Sequence, residues 1–234
     1  MTLTLEYVRS KSAARLSGLL PVVRHAAETL IDRCYARGVP IVITQGFRTI
    51  AEQDALYAQG RTTYGDKVTK ARGGHSFHNF GVAIDFALLL PNGRAVSWDT
   101  KRNGDLDLLP DWDEVVTEAK RIGFAWGGDW RSFTDMPHFE MTFGLLTADY
   151  RNGRSPAKLL LDLAMAAITK LTKGDDTVAL PKANLVINGS KTKDGVVIDG
   201  SVYVPLREVS ERFGATIAWD NVSKTASIIT KEAK

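Results

Sequence analysis

The chain has 234 residues, 44% of them apolar and 24% charged, with 30 Lys and Arg against 27 Asp and Glu for a formal net charge of +3. This composition excludes an intrinsically disordered chain, the length fits one large domain or two smaller ones, and so even a charge balance argues against nucleic acid as a partner. A single cysteine, Cys34, excludes an internal disulfide and a cysteine-built zinc site, so any metal must be held by the four histidines and by carboxylates.

In chain order, residues 1–9 are polar and lack the apolar stretch and small-residue cleavage site of a signal peptide, so the expectation is synthesis in the cytoplasm without one. Leu16, Leu19, Leu20, Val23, Ala27, Leu30 and Ile31 recur at helical spacing and predict one long helix over 13–38, with Pro21 marking a kink or a late start. Residues 40–44 read as a short strand. Thr49-x-x-Glu52 is a capping box that opens a helix through Tyr57, stopped by Gly60. A loop rich in Gly, Lys and Arg follows over 60–74, then a strand over 82–89, a helix over 111–122 and a strand over 138–143. Helices and short strands mix without a βαβ repeat, which predicts an α+β fold.

Beyond Tyr150 the texture changes. A turn-rich stretch ends in Ser155-Pro156, a helix start, and leads into a helix over 159–171 that is apolar nearly all round and so expected to be buried. No run approaches the ~18 apolar residues of a membrane helix, so no stable membrane anchor is expected. Residues 1–150 hold 17 basic and 18 acidic side chains, residues 151–234 hold 13 and 9. The expected organisation is a catalytic domain over 1–150, a helical linker over 151–180 and a small α+β domain over 181–234.

Three of the four histidines fall in two segments that also carry aspartates. Strand alternation puts Val82, Ile84 and Phe86 on one face and Ala83, Asp85 and Ala87 on the other, so Asp85 projects from a face of small residues. In the second segment Phe139, Met141 and Phe143 form the apolar face, and His138 and Glu140 point the other way. Imidazole and carboxylate suit zinc, and a catalytic zinc uses three protein ligands. His78, Asp85 and His138 make such a set. Asp135 stands three residues before His138, with Pro137 stiffening the turn, as a free carboxylate where a general base is needed. Glu140 shares a face with His138 and is read as orienting a ligand. Trp126 and Trp130 could wall a cleft, His75 lies on its rim, and His25 is an ordinary helix residue.

Ser76-x-His78-x-x-Gly81-x-Ala83-x-Asp85 followed by Asp135-x-Pro137-His138-x-Glu140 resembles the signature of the D-Ala-D-Ala carboxypeptidase/VanY superfamily of zinc peptidases. Within it the chain is most similar to L-alanoyl-D-glutamate endopeptidases of phage endolysins and bacterial autolysins. Ile43-Thr-Gln-Gly-Phe-Arg48, Glu52-Gln53 and Trp126-Gly-Gly-Asp-Trp130 fit the same pattern, which covers residues 15–145. The resemblance implies a small domain related to the hedgehog signalling domain, Zn2+ on His78, Asp85 and His138, and Asp135 as catalytic base. It further implies Arg48 as carbonyl or oxyanion stabiliser and Ser76, Gln53, Trp126 and Trp130 at the substrate. The substrate would be the stem peptide of peptidoglycan, and the setting lysis of the wall after the membrane is permeabilised. A D-Ala-D-Ala carboxypeptidase or dipeptidase would use the same ligands and base. Lysostaphin-type zinc peptidases carry His-x-His where this chain has His138-Phe139-Glu140, which disfavours them, and the complete ligand and base set disfavours a non-catalytic wall-binding protein.

The tail resembles the small domain named after the N-terminal stalk of copper amine oxidases. Strands over 185–187, 196–198, 216–219 and 225–229 and a helix over 206–213 are expected. No Cys, His or Met lies between 183 and 234, so copper is unsupported. Wall attachment is expected instead, with the basic balance suiting anionic wall polymers.

Overall fold

Pro21 starts a helix rather than kinking one. The computed structural model describes residues 3–106, 109–172, 182–183, 186–191, 195–198, 201–203, 206–220 and 225–230. In it the stretch expected as one helix over 13–38 is a 3₁₀ turn over Ala13–Leu16, which continues from a preceding helix α1 (Leu5–Ser12), and then a separate helix α2 (Pro21–Ala36). Proline lacks only an N–H that the first helical position leaves unused, and its fixed φ suits that position. The break serves the site, because Leu20 N–H donates to the Gly81 carbonyl at 2.9 Å and ties it to the loop that carries His78.

The first unit, residues 1–174, is built on a five-stranded antiparallel sheet. Its strands are β1 (Ile41–Gln45), β2 (Ala83–Leu89), β3 (Val96–Ser97), β4 (Ala125–Trp126) and β5 (His138–Glu140). The order is β1-β2-β5-β4, with β3 pairing the far end of β2. The helices are α3 (Ile50–Ala58), α4 (Asp111–Ile122), α5 (Thr147–Arg151) and α6 (Lys158–Thr172). An antiparallel sheet with helices outside any βαβ unit is the α+β class the pattern predicts. The capping box of α3 forms in full: Thr49 Oγ1 accepts from Glu52 N–H at 3.1 Å, and Glu52 Oε2 accepts from Thr49 N–H at 2.8 Å.

Register fixes the site. In β2 and β5, Asp85 lies opposite His138, Ile84 opposite Phe139 and Ala83 opposite Glu140. A one-residue slip would exchange the faces, and the core forbids it. Ile84, Phe86 and Phe139 are fully buried, with Phe86 stacked on Phe139 at 5.0 Å and tilted against Trp112 at 4.4 Å. β5 is shorter than the pattern suggests: after Met141 N–H bonds to Val82 O the chain leaves the sheet, and Phe143 takes φ +51° in a turn.

α6, placed above in a linker, belongs to this unit. Ile168 is fully buried and Leu161, Ala164, Met165 and Leu171 pack on the core, whereas Leu159, Leu160 and Leu163 are exposed. The helix is thus buried against the domain on one side, with apolar side chains exposed on the other. Between α2 and α4 lies a feature the sequence does not announce. Glu118, 1% exposed, accepts from Arg33 Nε at 2.6 Å and Arg37 Nη1 at 3.3 Å, and the buried Glu114 accepts from Arg37 at 2.6 Å. Arg33 Nη1 also reaches the Leu171 carbonyl at 3.3 Å, which ties α6 to the same cluster.

In the second unit, residues 175–234, the chain forms an antiparallel hairpin of Gly195–Ile198 with Ser201–Tyr203, to which Lys182–Ala183 adds. Val186–Ile187 pairs with Ser190–Lys191, Leu206–Arg212 is helical, and Thr216–Asp220 pairs with Thr225–Ile229. The expected strand over 185–187 is present from Val186, and Leu185 lies outside the described residues. No described helix is long and apolar enough to cross a membrane.

Candidate active site

His78 sits in a 3₁₀ turn, Phe77–Phe80, closed by Gly81 in the left-handed region at φ +66°. A side chain on Gly81 would meet the Gly18 carbonyl at 2.5 Å, so glycine is required there. His78 Nδ1 lies 2.8 Å from the Gly46 carbonyl. A carbonyl only accepts, so Nδ1 carries the proton and the Nε2 lone pair is left for another partner. At His138 the polarity is reversed. Its Nε2 lies 3.1 Å from Glu140 Oε2, so Nε2 is protonated and Nδ1 offers the lone pair. Both free nitrogens face Asp85 Oδ1, at 3.3 Å from His78 and 3.1 Å from His138, and are 3.3 Å apart. Two outer acceptors thus orient the two rings onto one point, as the outer partners of metal-binding histidines do.

The charges agree with a cation at that point. Burial opposes ionisation of Asp85, but the two histidines that face it outweigh burial and hold its carboxyl well below the usual range. Burial likewise opposes a charge on His138, yet the bonds to Asp85 and Glu140 raise its pKa to about 9. Among the described residues, His78, Asp85 and His138 are therefore a candidate metal site, buried and fitted to a cation. Glu140→Gln, which keeps the shape but removes the carboxylate that fixes the His138 tautomer, should weaken metal binding about 10–100-fold. Competition against a chromophoric chelator would measure it.

A second group of three acidic residues, Asp105, Asp111 and Glu114, also clusters, but it is tied up with Arg102 and Arg37 away from this cleft.

The metal site opens into a cleft of about 880 Å³ lined by Gln45, Arg48, Ser76, Trp130, Phe133 and Asp135 among others. Asp135 is held by backbone bonds, its N–H to Gly127 O at 3.1 Å and its carbonyl from His138 N–H at 3.2 Å. A side chain on Gly127 would meet the Asp135 carbonyl at 2.5 Å, so this close approach needs glycine. The Asp135 carboxylate makes no hydrogen bond or ion pair with a described residue. Burial and the neighbouring Asp85 charge raise its pKa above the ordinary value. Arg48 extends into the same space. Its Nη1 donates to Gln53 Oε1 at 2.8 Å, and its buried Nε has no hydrogen-bond partner among the described residues.

Of the residues expected at the substrate, Ser76 and Trp130 line the cleft, the indole lying 5.1 Å from the His138 ring. Gln53 and Trp126 do not. Gln53 is fully buried behind Arg48, and Trp126 packs on the core with its Nε1 donating to Met136 O at 2.8 Å. Gln45 also lines the cleft, as do residues 68–71 and 146–148. For residues 68–71 the advance signal is the Gly-, Lys- and Arg-rich loop over 60–74; Gln45 and residues 146–148 carry none.

Comparison with known proteins places this arrangement. Residues 69–141, which span the whole metal motif, match the family described as D-alanyl-D-alanine carboxypeptidase, and residues 169–234 match the copper amine oxidase N-terminal domain. The peptidoglycan L-alanyl-D-glutamate endopeptidase CwlK of Bacillus subtilis (strain 168) is 50% identical over 125 residues, covering 53% of this chain and 74% of that protein. The L-alanyl-D-glutamate peptidase of Listeria phage A118 is 29% identical over 150 residues, 64% of this chain and 47% of its own length. The crystal structure of the Serratia marcescens L-Ala D-Glu endopeptidase ChiX aligns with a TM-score of 0.42 at 24% identity, over 60% of this chain and 90% of that one. The chain belongs to the D-alanyl-D-alanine carboxypeptidase-type metallopeptidases, on the branch of the L-alanyl-D-glutamate endopeptidases.

Proposed function

We propose that this protein is a zinc-dependent peptidoglycan hydrolase that cleaves the L-Ala–D-Glu bond of wall stem peptides. The observation that carries it is the trio of donor atoms on His78, Asp85 and His138, 3.1–3.3 Å apart, beside the unengaged carboxylate of Asp135. Ligand atoms bound tetrahedrally at about 2.0–2.1 Å, the usual Zn–N and Zn–O length, lie roughly 3.3 Å from one another. The donor set, two imidazoles and one carboxylate, is a catalytic zinc set with room for a fourth partner.

When bound, zinc supplies Lewis acidity toward the scissile carbonyl and toward water. The chain's own residues do the rest. Asp135 accepts the proton of the attacking water on its carboxylate and returns it to the leaving nitrogen. Arg48, whose side chain lines the cleft, donates from its guanidinium to the oxygen on which negative charge grows. Trp130 and Ser76 border the path of the peptide.

Digestion of purified walls with the zinc-loaded full chain, read by mass spectrometry of the released fragments, tests this reading. New amino-terminal D-Glu is expected, and free D-Ala instead would assign a D-Ala-D-Ala carboxypeptidase. A chelator should abolish the cleavage and leave the far-UV circular dichroism unchanged, because the core of Phe86, Trp112 and Phe139 is complete without the metal. Cleavage undiminished by chelation would overturn the metal-dependent reading.

Residues 175–234 are proposed as the wall-attachment module, supported by their match to a domain family. Action on the wall after membrane permeabilisation, in the manner of an endolysin or a prophage-derived autolysin, is part of the same proposal and is supported by the phage relative.

A further inference from the structure

Gln53 does more than orient Arg48. While its Oε1 accepts from Arg48, its Nε2 donates to the Ala71 carbonyl at 2.8 Å and lies 3.4 Å from Thr69 Oγ1. Thr69 is held again, its carbonyl by Arg61 Nη2 at 2.9 Å and its Oγ1 by Ala71 N–H at 3.2 Å. Lys70 stands between these two pinned residues. Its backbone is therefore fixed from both sides by a buried amide, while its side chain is exposed and borders the cleft. There the ammonium lies 4.7 Å from the ring centroid of Phe133, which comes from the opposite loop, and it forms no ion pair with a described carboxylate. A pre-set backbone carrying a cation with only an aromatic face beneath it is a site prepared for an anion.

The substrate supplies one. In a stem peptide the D-glutamate is joined onward through its γ-carboxyl group, so its α-carboxylate is free immediately beside the bond to L-alanine. That charge must enter a cleft already holding Asp85, Asp135 and Glu140. With the metal and Arg48 engaged at the scissile carbonyl, a further cation beside that carboxylate offsets the repulsion. Arg48 lies deeper and serves the carbonyl oxygen. His75 also borders the cleft, but its Nδ1 lies 3.3 Å from Arg151 Nη1, which can only donate, so the ring meets it as an acceptor. Lys70 is the cation left over. Resting on the endopeptidase reading, we propose that Lys70 is the counter-ion for the α-carboxylate of the residue that follows the scissile bond. The protein is then selective for stem peptides in which that carboxylate is free over those in which it is amidated.

The test uses two synthetic peptides, L-Ala-γ-D-Glu-L-Lys-D-Ala and its counterpart with D-isoglutamine, cleaved by the zinc-loaded full chain. The native protein should favour the free acid in kcat/KM by about tenfold, the scale of one charge-assisted hydrogen bond at a partly solvated site. Added salt should erode that preference. Lys70→Met should bring the acid-to-amide ratio close to one, and Lys70→Arg should restore most of it. A general packing defect would lower both rates and leave their ratio in place. Equal cleavage of the two peptides by the native protein, or a ratio unchanged in Lys70→Met, overturns the assignment. If neither peptide yields a new amino terminus, the endopeptidase reading itself falls, and Lys70 as carboxylate partner falls with it.

Discussion

Replacing Asp135 with asparagine is expected to slow cleavage by about 10²–10⁴-fold, the range for removing a general base, while the bound metal stays at its native level. The substitution is close to isosteric, and what holds residue 135 in place is backbone: its N–H to Gly127 O and its carbonyl from His138 N–H. Neither bond involves the carboxylate, so the loop and the His138 strand should keep their positions. Elemental analysis and wall-digestion rates on the same preparation separate the two effects. Retained activity would move the base elsewhere, and the other carboxylate facing the cleft outside the ligand set is Glu140, which is already committed to His138 Nε2 at 3.1 Å. The Glu140→Gln and Asp135→Asn variants should therefore fail differently. The first should lose metal and recover at high zinc concentration, and the second should keep metal and not recover.

Two of the three candidate ligands, Asp85 and His138, are legible in the sequence because strand alternation is a local property. Once Ile84 and Phe86 face the core, Asp85 must face away, and the same holds for His138 beside Phe139. Pairing these two strands directly opposite each other then needs only that both bury their apolar faces on one core. Other parts of the site depend on contacts between distant segments, which no local pattern encodes. Gln53 is polar and sits in a helix, and nothing in its neighbours shows that it is fully buried between Arg48 and Ala71. Trp126 carries no sign of which side of its strand faces the cleft until its Nε1 meets Met136 O. The break at Pro21 was legible as an irregularity, but its purpose depends on the Leu20–Gly81 bond across 61 positions of chain. Lys70 lies in a loop without periodicity, and only the hydrogen bonds that pin both its neighbours distinguish it from Lys67.

Glu118→Ala is expected to be the most damaging change outside the site, lowering stability by about 3–5 kcal/mol, the usual cost of removing one partner from a buried ion pair. In sequence Glu114 and Glu118 read as an ordinary charged face of α4. In the structure both are almost completely buried, and Glu118 meets Arg33, Arg37 and Arg121 at 2.6, 3.3 and 3.6 Å. Arg33 is itself only 14% exposed, so losing Glu118 removes an ion-pair partner from a guanidinium in a place water reaches poorly. Arg37, at 41% exposed, can turn outward and should suffer less. Because Arg33 also holds the Leu171 carbonyl, the loss should loosen the end of α6 as well. For a unit of this size each kcal/mol moves Tm by roughly 2–4 °C, so the midpoint should fall by on the order of 10 °C. The cluster shares no residue with the cleft, so a sample still folded at low temperature should bind metal and cleave walls at close to the native rate. A small shift in Tm, or equal losses in Glu118→Ala and the double variant lacking Arg33 as well, would show that the pair contributes little beyond what its burial costs. A partial recovery in the double variant would instead measure the coupling between Glu118 and Arg33 directly.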